Sequence, residues 1–592
     1  MKILGISAHY HDAAAGLVVD GVPVCSVQEE RLSRRKNDPS FPMAAIEWCL
    51  SRGGLEPSDL DAVVFYEKPL LKFERILTMS LRAFPKSWRS FPQAMKNSLG
   101  GKLWVKGLIA SELGVPGKRV LFTEHHEAHA AYAFLSSPAR NAAILTADGV
   151  GEWATLSLGT AERHDDGRVS FQILREIRFP HSLGMLYSTF TAFLGFAVNE
   201  GEYKVMGLAS YGKPRFEESV KKLLHRTADG AFALDMSYFD YHTTSRRSYS
   251  SKFIDEFGPP RRPYDALDPW DEEGSRYADI AASVQKVLED TLVDITRAFR
   301  RETGLSDLCL GGGIALNGCA NARILCESGF DRVFVPPAPG DAGSALGAAL
   351  LADRVHFQNA DRPCPDHPFW GPSVEPYELG RLAEQDRLPF ESVGDDRALV
   401  LRVAAEIDRG RIVGWMQGET ELGPRALGNR SILAAPHHES TRDRLNAEVK
   451  YREEFRPFAP AVPIEVADRY FDMPPGGARL ARFMSGVFPV RAEYRTRLRA
   501  VTHVDGTARV QVVDREMAPL LHALLVAYGE RSGIPVLLNT SFNLAGEPIV
   551  NRAVEGYSTF RRCGIDVLVV GRCVVEKQAG TDAVPRPMEK AG

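Results

Sequence analysis

Short apolar runs alternate with longer segments of helical periodicity through the first part of the chain. Residues 2–7 and 17–28 predict strands, and the second of them is bent at Asp20-Gly21, a dipeptide that favours a tight hairpin. The alternation continues with strands at 119–122, 142–147, 153–159, 169–174, 307–310 and 332–335 and with helices at 125–136, 276–302 and 315–328. Strands and helices in this order predict a layered α/β fold.

The second part of the chain repeats this pattern after a break. Residues 355–392 are rich in proline and aspartate, which is typical of a linker. Beyond them the pattern predicts helices at 396–409 and 516–531 and strands at 411–417, 460–464, 509–513, 535–539 and 566–576. We therefore predict one α/β domain over residues 1–354, a second over residues 393–578, and a tail at 579–592.

The composition of the 592 residues narrows the class of protein. Hydrophobic residues make up 44% and charged residues 25%, as in ordinary globular domains. The formal net charge of -4 gives no overall attraction to nucleic acid or to an anionic membrane, so we expect neither partner. The eight cysteines form no CxxC pair, and no stretch reaches the ~20 apolar residues of a membrane span. These features predict a cytoplasmic protein with reduced thiols.

Residues 68–110 differ from the rest of the chain in composition, because they contain many lysines and arginines and a single acidic residue, Glu74. Two interpretations stay open for this segment. It is either a solvated helical lobe or a cover that attracts an anionic acceptor.

The densest polar segment is 124–130, which reads Glu-His-His-Glu-Ala-His-Ala. On a helix, His125 and His129 are four residues apart and share one face, a common way to present two imidazoles to one metal ion. His126 points about 100° away, so it is the weaker ligand candidate. A zinc peptidase would require His-Glu-x-x-His, but position 130 is alanine, so the spacing excludes that class.

Two aspartates are candidates for the remaining metal ligands. Asp148 follows the buried strand 142–147, where a lone carboxylate is costly unless it meets a cation or hydrogen-bond donors. Asp341 begins a helix rich in alanine and glycine. A turn at Asp148 and a helix N-cap at Asp341 are the structural alternatives. Two histidines and two carboxylates with an open position would suit Fe(II), or Zn or Mn.

A glycine loop follows the strand 307–310. Gly312 and Gly313 would let the backbone approach a ligand closely, and the helix near Asn317 would present its N–H groups. The loop matches neither a Walker A sequence nor a dinucleotide fingerprint, so a plain tight turn is the alternative. Glu202 and Lys204 lie in a stretch that mixes charges with glycines. We interpret that stretch as the wall of a binding site, with a packing corner as the alternative.

Polar and cationic residues interrupt or follow several apolar strands of the second domain. They include Arg425, Lys450, Arg509, Asn539 and Ser541. An arginine with glycine neighbours suits bidentate phosphate recognition, a lysine adds a point charge, and serine and asparagine add neutral donors. A solvated charged face would explain any one of these residues, but it explains their shared position less well. We therefore predict an anion site in this domain.

Several runs of residues through both domains carry a family resemblance. They read Ala-His-Tyr-His-Asp-Ala-Ala at 8–14, Gln-Glu-Glu-Arg-Leu-Ser-Arg-Arg-Lys at 28–36, Gly-Glu-Tyr-Lys-Val-Met-Gly at 201–207 and Gly-Pro-Arg-Ala-Leu-Gly-Asn-Arg-Ser at 423–431. The histidine pair and Asp341 stand between them in the family order. Over nearly its whole length the chain resembles the O-carbamoyltransferase family, which includes the nodulation-factor, tobramycin and cephamycin carbamoyltransferases.

The resemblance implies a fold and a pair of linked reactions. The N-terminal domain would be actin-like, similar to the tRNA-threonylcarbamoyl transferase subunit, and the C-terminal domain would be similar to the YrdC-like synthases. The C-terminal domain would form carbamoyl adenylate from carbamoyl phosphate and ATP with Mg. The N-terminal domain would transfer the carbamoyl group to a hydroxyl of a small-molecule or sugar acceptor.

The resemblance also implies roles for individual residues. Metal ligands fall on His125, His129, Asp148 and Asp341. Phosphate and ATP contacts fall on Arg425, Lys450, Arg509 and Ser541, to which we add Lys36 and Asn539 as cofactor contacts, and we expect Arg425 and Lys450 to act in catalysis. His11 and His126 are candidates for the base, with a packed, hydrogen-bonded histidine as the alternative for each. Residues 418–422 depart from the family, because many relatives carry Arg and Phe in that loop.

Two other functional classes compete with a carbamoyltransferase. An actin-like sugar kinase would need only the first domain and would leave the cationic clusters between 423 and 541 without a role. A component of tRNA threonylcarbamoylation is disfavoured by the balanced net charge and by the fusion of both domains in one chain. The identity of the acceptor stays open, and so does a homodimer.

Overall fold

The computed structural model describes residues 1–577 apart from 90, 100, 101, 245, 246, 264, 439, 440 and 454. The predicted tail at 579–592 therefore lies outside the described residues. The chain forms two compact units. Unit 1 contains Met1–Glu29, Asn37–Asp366 and Pro474–Leu480, whereas unit 2 contains Glu30–Lys36, His367–Met473 and the residues from Ala481 onward.

Two short segments are exchanged between the units. The main change from unit 1 to unit 2, at Asp366, lies inside the predicted linker, but Glu30–Lys36 belongs to unit 2 and Pro474–Leu480 belongs to unit 1. The predicted domains contain no such exchange. Local sequence patterns could not show it, because it depends on contacts between distant residues. For example, Arg34 donates hydrogen bonds to the carbonyl oxygens of Pro548 and Ile549.

Unit 1 contains two sheets of the same topology. Its strands are β1 (Lys2–Ser7), β2 (Ala14–Val19), β3 (Val22–Gln28), β4 (Ala62–Phe65), β5 (Val120–Phe122), β6 (Asn141–Ala147), β7 (Ala154–Arg163), β8 (Val169–Arg178), β9 (Leu224–Arg226), β10 (Phe232–Leu234), β11 (Asp307–Gly311) and β12 (Arg332–Phe334). The two large sheets run β3-β2-β1-β4-β5 and β8-β7-β6-β11-β12. In each, three strands form an antiparallel meander and two more add in parallel beside the first of them. This duplicated arrangement is that of the actin-like fold, so the predicted fold class is confirmed.

The helices of this part of the chain agree with the sequence pattern. They are α1 (Glu29–Ser33), α2 (Met43–Gly53), α3 (Pro69–Arg82), α4 (Phe91–Leu99), α5 (Val105–Leu113), α6 (His125–Leu135), α7 (Leu183–Phe193), α8 (Glu202–Ala209), α9 (Glu217–Lys222), α10 (Ser251–Phe257), α11 (Glu272–Thr303), α12 (Gly318–Glu327) and α13 (Asp341–Leu351). The helices predicted at 125–136 and 276–302 are confirmed. So is the hairpin, because Asp20 and Gly21 both have the positive φ that its turn requires. Among the described helices, none is both long and apolar enough to span a membrane.

Small residues bring α13 close to α6 and to the first sheet. A Cβ atom on Gly347 of α13 would lie 2.1 Å from the carbonyl oxygen of Ala128 in α6. A Cβ atom on Gly5 of β1 would lie 1.8 Å from the carbonyl oxygen of Ala345 in α13. Any larger residue at these positions would force the elements apart, because protein interiors are close-packed. This packing places Asp341, the first residue of α13, beside the first turns of α6.

The described residues of the cation-rich segment 68–110 include α3, α4 and α5. Arg75 is buried and donates to the carbonyl oxygen of Gly151 at 3.1 Å, so this cation serves packing. Leu70, Phe84 and Trp88 are exposed. Attraction of an acceptor by this segment stays a prediction.

Unit 2 is an α/β domain built on one large mixed sheet. The strands of the remaining chain are β13 (Phe369–Ser373), β14 (Phe390–Ser392), β15 (Val413–Met416), β16 (Glu419–Glu421), β17 (Arg430–Ala434), β18 (Ala459–Pro463), β19 (Phe488–Pro489), β20 (Thr507–Ala508), β21 (Gln511–Val513), β22 (Leu537–Ser541), β23 (Val567–Val570) and β24 (Cys573–Glu576). The helices are α14 (Leu379–Gln385), α15 (Asp396–Asp408), α16 (Thr441–Arg444), α17 (Ala467–Tyr470), α18 (Gly477–Ala481), α19 (Pro519–Ser532) and α20 (Ala553–Arg562). The main sheet runs β14-β24-β23-β15-β17-β22-β18-β21.

One face of this sheet changes from apolar to polar along its strands. Its apolar end packs with residues of α15 and α19 and includes Val413, Leu433, Val513 and Leu537. Residues two apart on a strand share a face, so the same face continues with polar side chains. These are Ser431, Gln511, Asn539 and Ser541. The predicted anion-site residues Asn539 and Ser541 therefore lie where the apolar core ends.

Candidate metal centre and anion-binding site

Four predicted metal ligands meet where α6 and α13 pack together. His125 and His129 lie on one face of α6, Asp148 follows the last residue of β6, and Asp341 is the first residue of α13. One ligand atom from each residue lies within 4.8 Å of all the others. Asp148 is partly buried and the other three are fully buried, which is an expensive place for carboxylates unless they meet positive charge.

The spacing of the ligand atoms fits a single cation. Nε2 of His129 lies 3.1 Å from Nε2 of His125 and 3.1 Å from Oδ2 of Asp148. Oδ1 of Asp341 lies 3.6 Å from Nε2 of His125 and 3.5 Å from Nε2 of His129. Metal–ligand bonds of about 2.0–2.2 Å place neighbouring ligand atoms roughly 3.0–3.6 Å apart. In addition, Oδ2 of Asp341 is buried and has no hydrogen-bond partner among the described residues, so a cation would stabilise it.

Neighbouring hydroxyl groups fix the orientation of two histidine rings. Nδ1 of His129 lies 3.0 Å from Oγ of Ser344, which leaves Nε2 facing the cluster. The ring of His126 points elsewhere, because its Nδ1 lies 2.9 Å from Oγ1 of Thr146 and 3.0 Å from Oγ of Ser157. Burial, followed by the charges of the two ligand histidines, lowers the pKa of His126 well below its ordinary value. Nδ1 of His126 therefore faces Thr146 and Ser157 and not the cluster.

The four predicted ligands also affect each other's pKa values. Burial alone would raise the pKa values of Asp148 and Asp341, but the histidines outweigh it and hold both values below the ordinary range. Burial likewise opposes the charge of His129, but the two aspartates outweigh it and raise its pKa to about 9. The carboxylates are thus ionised, and a metal cation would compete with the imidazole proton for them.

Two residues of the loop after β1 interact electrostatically with this cluster. Burial, and then the charges of Asp148 and Asp341, raise the pKa of Tyr10. Nδ1 of His11 lies 2.9 Å from Oδ2 of Asp12. Burial lowers the pKa of His11, but the hydrogen bond to Asp12 and the charge of Asp341 outweigh it and raise the pKa to about 9. The structure therefore brings the predicted base candidate His11 near the metal ligands.

The glycine loop after β11 lies against Asp148. Gly312 has a φ of 85°, and a Cβ atom on it would lie 2.3 Å from the carbonyl oxygen of Ala147. A Cβ atom on Gly313 would lie 3.1 Å from Oδ1 of Asp148. Glycine is needed here because the backbone adopts a left-handed conformation and approaches its neighbours closely. The loop thus places backbone atoms beside the metal-ligand candidates, and its contact with ATP stays a prediction.

Asn317 has a structural role, and its predicted nucleotide contact stays a prediction. Its Oδ1 accepts the backbone N–H of Ala320 at 3.1 Å and caps α12. Its amide also exchanges two hydrogen bonds with the amide of Gln285, at 2.9 and 3.1 Å. Both polar atoms of the side chain are therefore used within the protein.

Glu202 and Lys204 lie at the start of α8, in a corner held by hydrogen bonds. Oε1 of Glu202 accepts from Oγ of Ser188 at 2.9 Å and from the backbone N–H of Asn199 at 3.0 Å. Nζ of Lys204 lies 5.5 Å from the ring centre of Phe196. The charge of Glu202 also contributes to the raised pKa of Tyr10, so this corner lies near the loop after β1.

In unit 2, the amine of Lys450 is buried and donates hydrogen bonds to neutral oxygen atoms. Its Nζ donates to the carbonyl oxygen and Oγ of Ser541, and to the carbonyl oxygen and Oδ1 of Asn543 at 3.0 and 2.8 Å. Burial, followed by the charges of Arg452 and Arg456, lowers the pKa of Lys450 well below its ordinary value. A bound anion would interact favourably with the charged form of this amine and would raise that pKa again.

Three further predicted anion contacts of unit 2 lie at one end of its main sheet. Asn539 and Ser541 share one face of β22, and Arg509 stands just before β21 at the same end of the sheet. The charge of Arg509 contributes, after burial, to lowering the pKa of His503 to about 4.

Lys36 joins the same site although it stands near the start of the chain. The exchanged segment Glu30–Lys36 is held in unit 2 in part by Arg31, which donates to the carbonyl oxygen of Gly423 at 2.6 Å. The charge of Lys36 is one of those that lower the pKa of Lys450. The structure therefore brings these two predicted contacts together.

The two arginines of the run at 423–431 have different surroundings. Arg425 is half-buried, whereas Arg430 is fully buried. Arg430 donates, at 2.6–3.2 Å, to the carbonyl oxygens of Gln417, Gly418, Asn429, Pro372 and Asn551. Oε1 of Glu421 accepts three backbone N–H groups of the same loop, from Leu427, Asn429 and Arg430. Arg430 and Glu421 therefore shape the loop, and contact of Arg425 with a phosphate stays a prediction.

We expect Arg430→Met to lower the midpoint of thermal unfolding of unit 2 by roughly 6–12 °C. Five hydrogen bonds to backbone carbonyls would be lost, at a cost of about 3 kcal/mol or more. Arg425→Met, at a half-buried arginine of the same loop, should lower the midpoint less and reduce activity more. Calorimetry on both variants is the measurement, and equal midpoints would contradict this division of roles.

Comparison with known proteins identifies the family. A family model described as carbamoyltransferase N-terminus matches residues 2–350, and one described as carbamoyltransferase C-terminus matches residues 404–577. The chain belongs to the carbamoyltransferase family. The predicted family is therefore confirmed, and so is the prediction of a transferase enzyme.

Relatives of this carbamoyltransferase match it along most of its length. An uncharacterized protein of Synechocystis is 42% identical over 98% of this chain and 97% of its own. The nodulation protein NolNO of Sinorhizobium fredii is 36% identical over 96% of this chain and 80% of its own. The 3'-hydroxymethylcephem-O-carbamoyltransferase of Streptomyces clavuligerus is 35% identical over 51% of this chain and 54% of its own.

Solved structures resemble the carbamoyltransferase only remotely. The activator of the 2-hydroxyisocaproyl-CoA dehydratase from Clostridium difficile aligns with 60% of this chain and 97% of its own, at 13% identity and a TM-score of 0.30. HypF from T. kodakarensis aligns with 60% of this chain and 48% of its own, at 15% identity and a TM-score of 0.28. The actin-like fold of the carbamoyltransferase therefore rests on its own sheet topology.

Some residues of the carbamoyltransferase site received no role from the sequence. They are Asp12, Ser344, Glu421, Arg430 and Gln511. Two of them carry a local signal, since Asp12 adjoins His11 and Gln511 shares its strand face with Arg509. Ser344, Glu421 and Arg430 act through hydrogen bonds that only the folded chain reveals.

Proposed function

We propose that this carbamoyltransferase is an ATP-dependent O-carbamoyltransferase with two reaction sites. Unit 2 forms carbamoyl adenylate from carbamoyl phosphate and ATP, and unit 1 passes the carbamoyl group to a hydroxyl of a small-molecule or sugar acceptor. One observation supports this proposal above all: among the described residues, Nζ of the buried Lys450 contacts only neutral oxygen atoms, so an anionic substrate group would complement it. The separate cluster of two histidines and two aspartates supports a second site.

The activation step needs a site for several anionic groups. Water cleaves carbamoyl phosphate to carbamate and inorganic phosphate. A carbamate oxygen then attacks the α-phosphorus of ATP, pyrophosphate leaves, and carbamoyl adenylate forms. Positive charge for the phosphate groups comes from Lys36, Arg425, Lys450 and Arg509, and Ser541 adds a neutral hydroxyl.

The transfer step needs a base for the acceptor hydroxyl. The acceptor oxygen attacks the carbamoyl carbon, the bond from that carbon to the adenylate oxygen breaks, AMP leaves, and the hydroxyl proton passes to the base. We assign this base to His11, because Asp12 holds a proton at Nδ1 and leaves Nε2 to accept one. The charge of Asp341 contributes to the raised pKa of His11. Neutralisation of Asp341 would therefore lower the pKa of His11 and favour the neutral imidazole. His126 is not retained as a base, because Thr146 and Ser157 hold its ring.

The ligand cluster in unit 1 suits Fe(II), or Zn or Mn, since these ions accept imidazole together with carboxylate. His125, His129, Asp148 and Asp341 would hold the ion. When bound, it would supply Lewis-acid polarisation of the carbamoyl oxygen or of the adenylate phosphate. We assign the adenylate contact of unit 1 to the backbone of the glycine loop at 311–313, because that loop lies against Asp148.

The acceptor is proposed by chemical class. Two relatives are named for nodulation and for a hydroxymethylcephem, so we propose a hydroxyl group on a sugar or a secondary metabolite. The protein, given ATP, labelled carbamoyl phosphate and an acceptor, should release one pyrophosphate, one phosphate and one AMP for each carbamoyl group transferred. A screen of hydroxyl compounds with the labelled donor identifies the acceptor.

Release of ADP with a phosphorylated sugar would instead identify a kinase. Release of neither AMP nor ADP would point to a non-catalytic component, such as one acting in tRNA threonylcarbamoylation.

We expect His11→Asn to slow carbamoyl transfer about 100- to 1,000-fold while pyrophosphate release stays within about twofold, because only the second step uses this base. Separate assays of pyrophosphate and of carbamoylated product make the comparison. His225→Asn, at an exposed histidine of the same unit, should change neither rate. Equal losses in both assays would refute the assignment of His11.

A further inference from the structure

The side-chain amides of Asn539 and Gln511 form a chain of hydrogen bonds in unit 2. Nε2 of Gln511 donates to the carbonyl oxygen of Leu427 at 2.8 Å. Nδ2 of Asn539 donates to Oε1 of Gln511 at 2.6 Å and to the carbonyl oxygen of Ala426 at 3.2 Å. Both residues are buried, with exposed fractions of 1% for Asn539 and 0% for Gln511.

These hydrogen bonds determine which way each amide is oriented and which of its atoms has no partner. A backbone carbonyl only accepts, so the nitrogen of Gln511 must face Leu427 and its oxygen must face Asn539. Both N–H groups of Asn539 are then used. Its Oδ1 is buried and has no hydrogen-bond partner within the part of the chain that the structure describes. A buried amide oxygen is costly to leave unpaired, so its position indicates a ligand that donates an N–H or O–H.

This oxygen lies among the groups of the proposed anion site. Asn539 donates to the carbonyl oxygen of Ala426, which directly follows Arg425 in the sequence. It also donates to Gln511, which stands two residues after Arg509. Ser541, which contacts Lys450, is two residues further along the same face of β22. The expected donor is therefore part of a molecule whose anionic end binds these cations.

The alanines of β18 explain how the two amides meet. β18 lies between β22 and β21 in the sheet, and Ala459 and Ala461 stand opposite Asn539 and Gln511 respectively. Paired residues on neighbouring strands project to the same face, so these small side chains leave room for Gln511 to reach across the strand. The orientation of Asn539 thus depends on three strands and not on one flexible side chain.

We propose that Oδ1 of Asn539 accepts a hydrogen bond from the NH2 of the carbamoyl group and thereby selects carbamoyl donors over acyl phosphates. This inference rests on the proposed function of unit 2. Acetyl phosphate has nearly the same shape and charge as carbamoyl phosphate, but it carries a methyl group where the latter carries NH2. A methyl group against Oδ1 would leave the buried oxygen unpaired. Oγ of Ser431, which is also buried and unpaired among the described residues, lies on the same sheet face and can accept the second N–H.

The test compares two donors in ATP-dependent pyrophosphate release. With acetyl phosphate the corresponding products are phosphate, acetyl adenylate and pyrophosphate. The natural sequence should show a kcat/KM for carbamoyl phosphate at least about 100-fold above that for acetyl phosphate. Asn539→Ala should lower the value for carbamoyl phosphate about 10- to 100-fold and leave that for acetyl phosphate within about twofold. Thr540→Ala is the matched control, because Thr540 lies on the opposite face of β22 and should affect neither donor.

Gln511→Glu keeps the proposal testable if Asn539→Ala does not fold. Glutamate still accepts the N–H of Asn539, but it cannot donate to Leu427, so Asn539 keeps its free oxygen and loses its rigid support. We expect the preference for carbamoyl phosphate to fall roughly 3- to 10-fold in this variant.

Three results would overturn the inference. The first is an unchanged donor preference in Asn539→Ala. The second is an equal loss with both donors, which would mean that Asn539 only supports the loop. The third is an equal rise in KM for ATP with both donors, which would assign the oxygen to the adenine or ribose of ATP. If the natural sequence itself releases no pyrophosphate with carbamoyl phosphate, the proposed function fails, and this inference fails with it.

Discussion

Replacing Lys450 with alanine should reduce pyrophosphate release from ATP and carbamoyl phosphate about 1,000-fold. The expected loss is large because Nζ of Lys450 is buried and its contacts are with neutral oxygens of Ser541 and Asn543, so removal of the ammonium group leaves phosphate without that charge. Steady-state assays of pyrophosphate over a range of carbamoyl phosphate concentrations give kcat/KM directly.

Lys577→Ala is the matched control for this variant. Lys577 is another partly buried lysine of unit 2, and its Nζ donates to the carbonyl oxygen of Cys563. It should retain pyrophosphate release within about twofold. Thermal unfolding of both proteins tests whether each is folded. Undiminished pyrophosphate release in a folded Lys450→Ala protein would exclude the proposed activation site.

The double substitution His125→Ala with His129→Ala should remove the bound metal and block carbamoyl transfer while pyrophosphate release continues. Both imidazoles present Nε2 to the cluster, and two carboxylates alone would hold Fe(II) or Zn weakly. Elemental analysis of the purified protein and assays of the two half-reactions measure the three quantities. We expect metal content below about one tenth of that of the natural sequence.

His126→Ala separates this loss from general damage to α6. His126 is buried next to both ligands, but its Nδ1 faces Thr146 and Ser157. Its replacement should therefore leave the metal content unchanged, even if the protein becomes less stable. Stoichiometric metal in the double variant would show that α6 does not supply the ligands. An equal loss of metal in His126→Ala would show that the loss in the double variant reflects damage to α6.

The sequence predicted the parts of the fold that depend on local pattern. The turn at Asp20-Gly21 and the helix around His125 follow from rules that act over a few residues, and both occur in the structure. The partner of α6 could not be predicted in the same way. It is set by close packing at Gly347 and Ala128, which are more than 200 residues apart and meet only in the folded chain.

The site was predicted in the same uneven way. The spacing of His125 and His129 indicated two ligands, but Asp148 and Asp341 were equally compatible with a turn and a helix cap until the structure placed all four together. Asn317 was predicted as a nucleotide contact, because its position after the glycines fits one. Its hydrogen bonds to Gln285 could not be predicted from the sequence, because they join two helices that are distant along the chain.

The exchanged segments determine how this chain can be recombined with its relatives. A hybrid enzyme joined at Asp366 would take Glu30–Lys36 from one parent and the loop that Arg31 binds at Gly423 from the other. The cationic group of Lys36 would then come from the wrong parent for the site that it serves. A working hybrid must carry Glu30–Lys36 with the second half of the chain and Pro474–Leu480 with the first. The smallest portion that can be inherited as a module is therefore discontinuous in sequence.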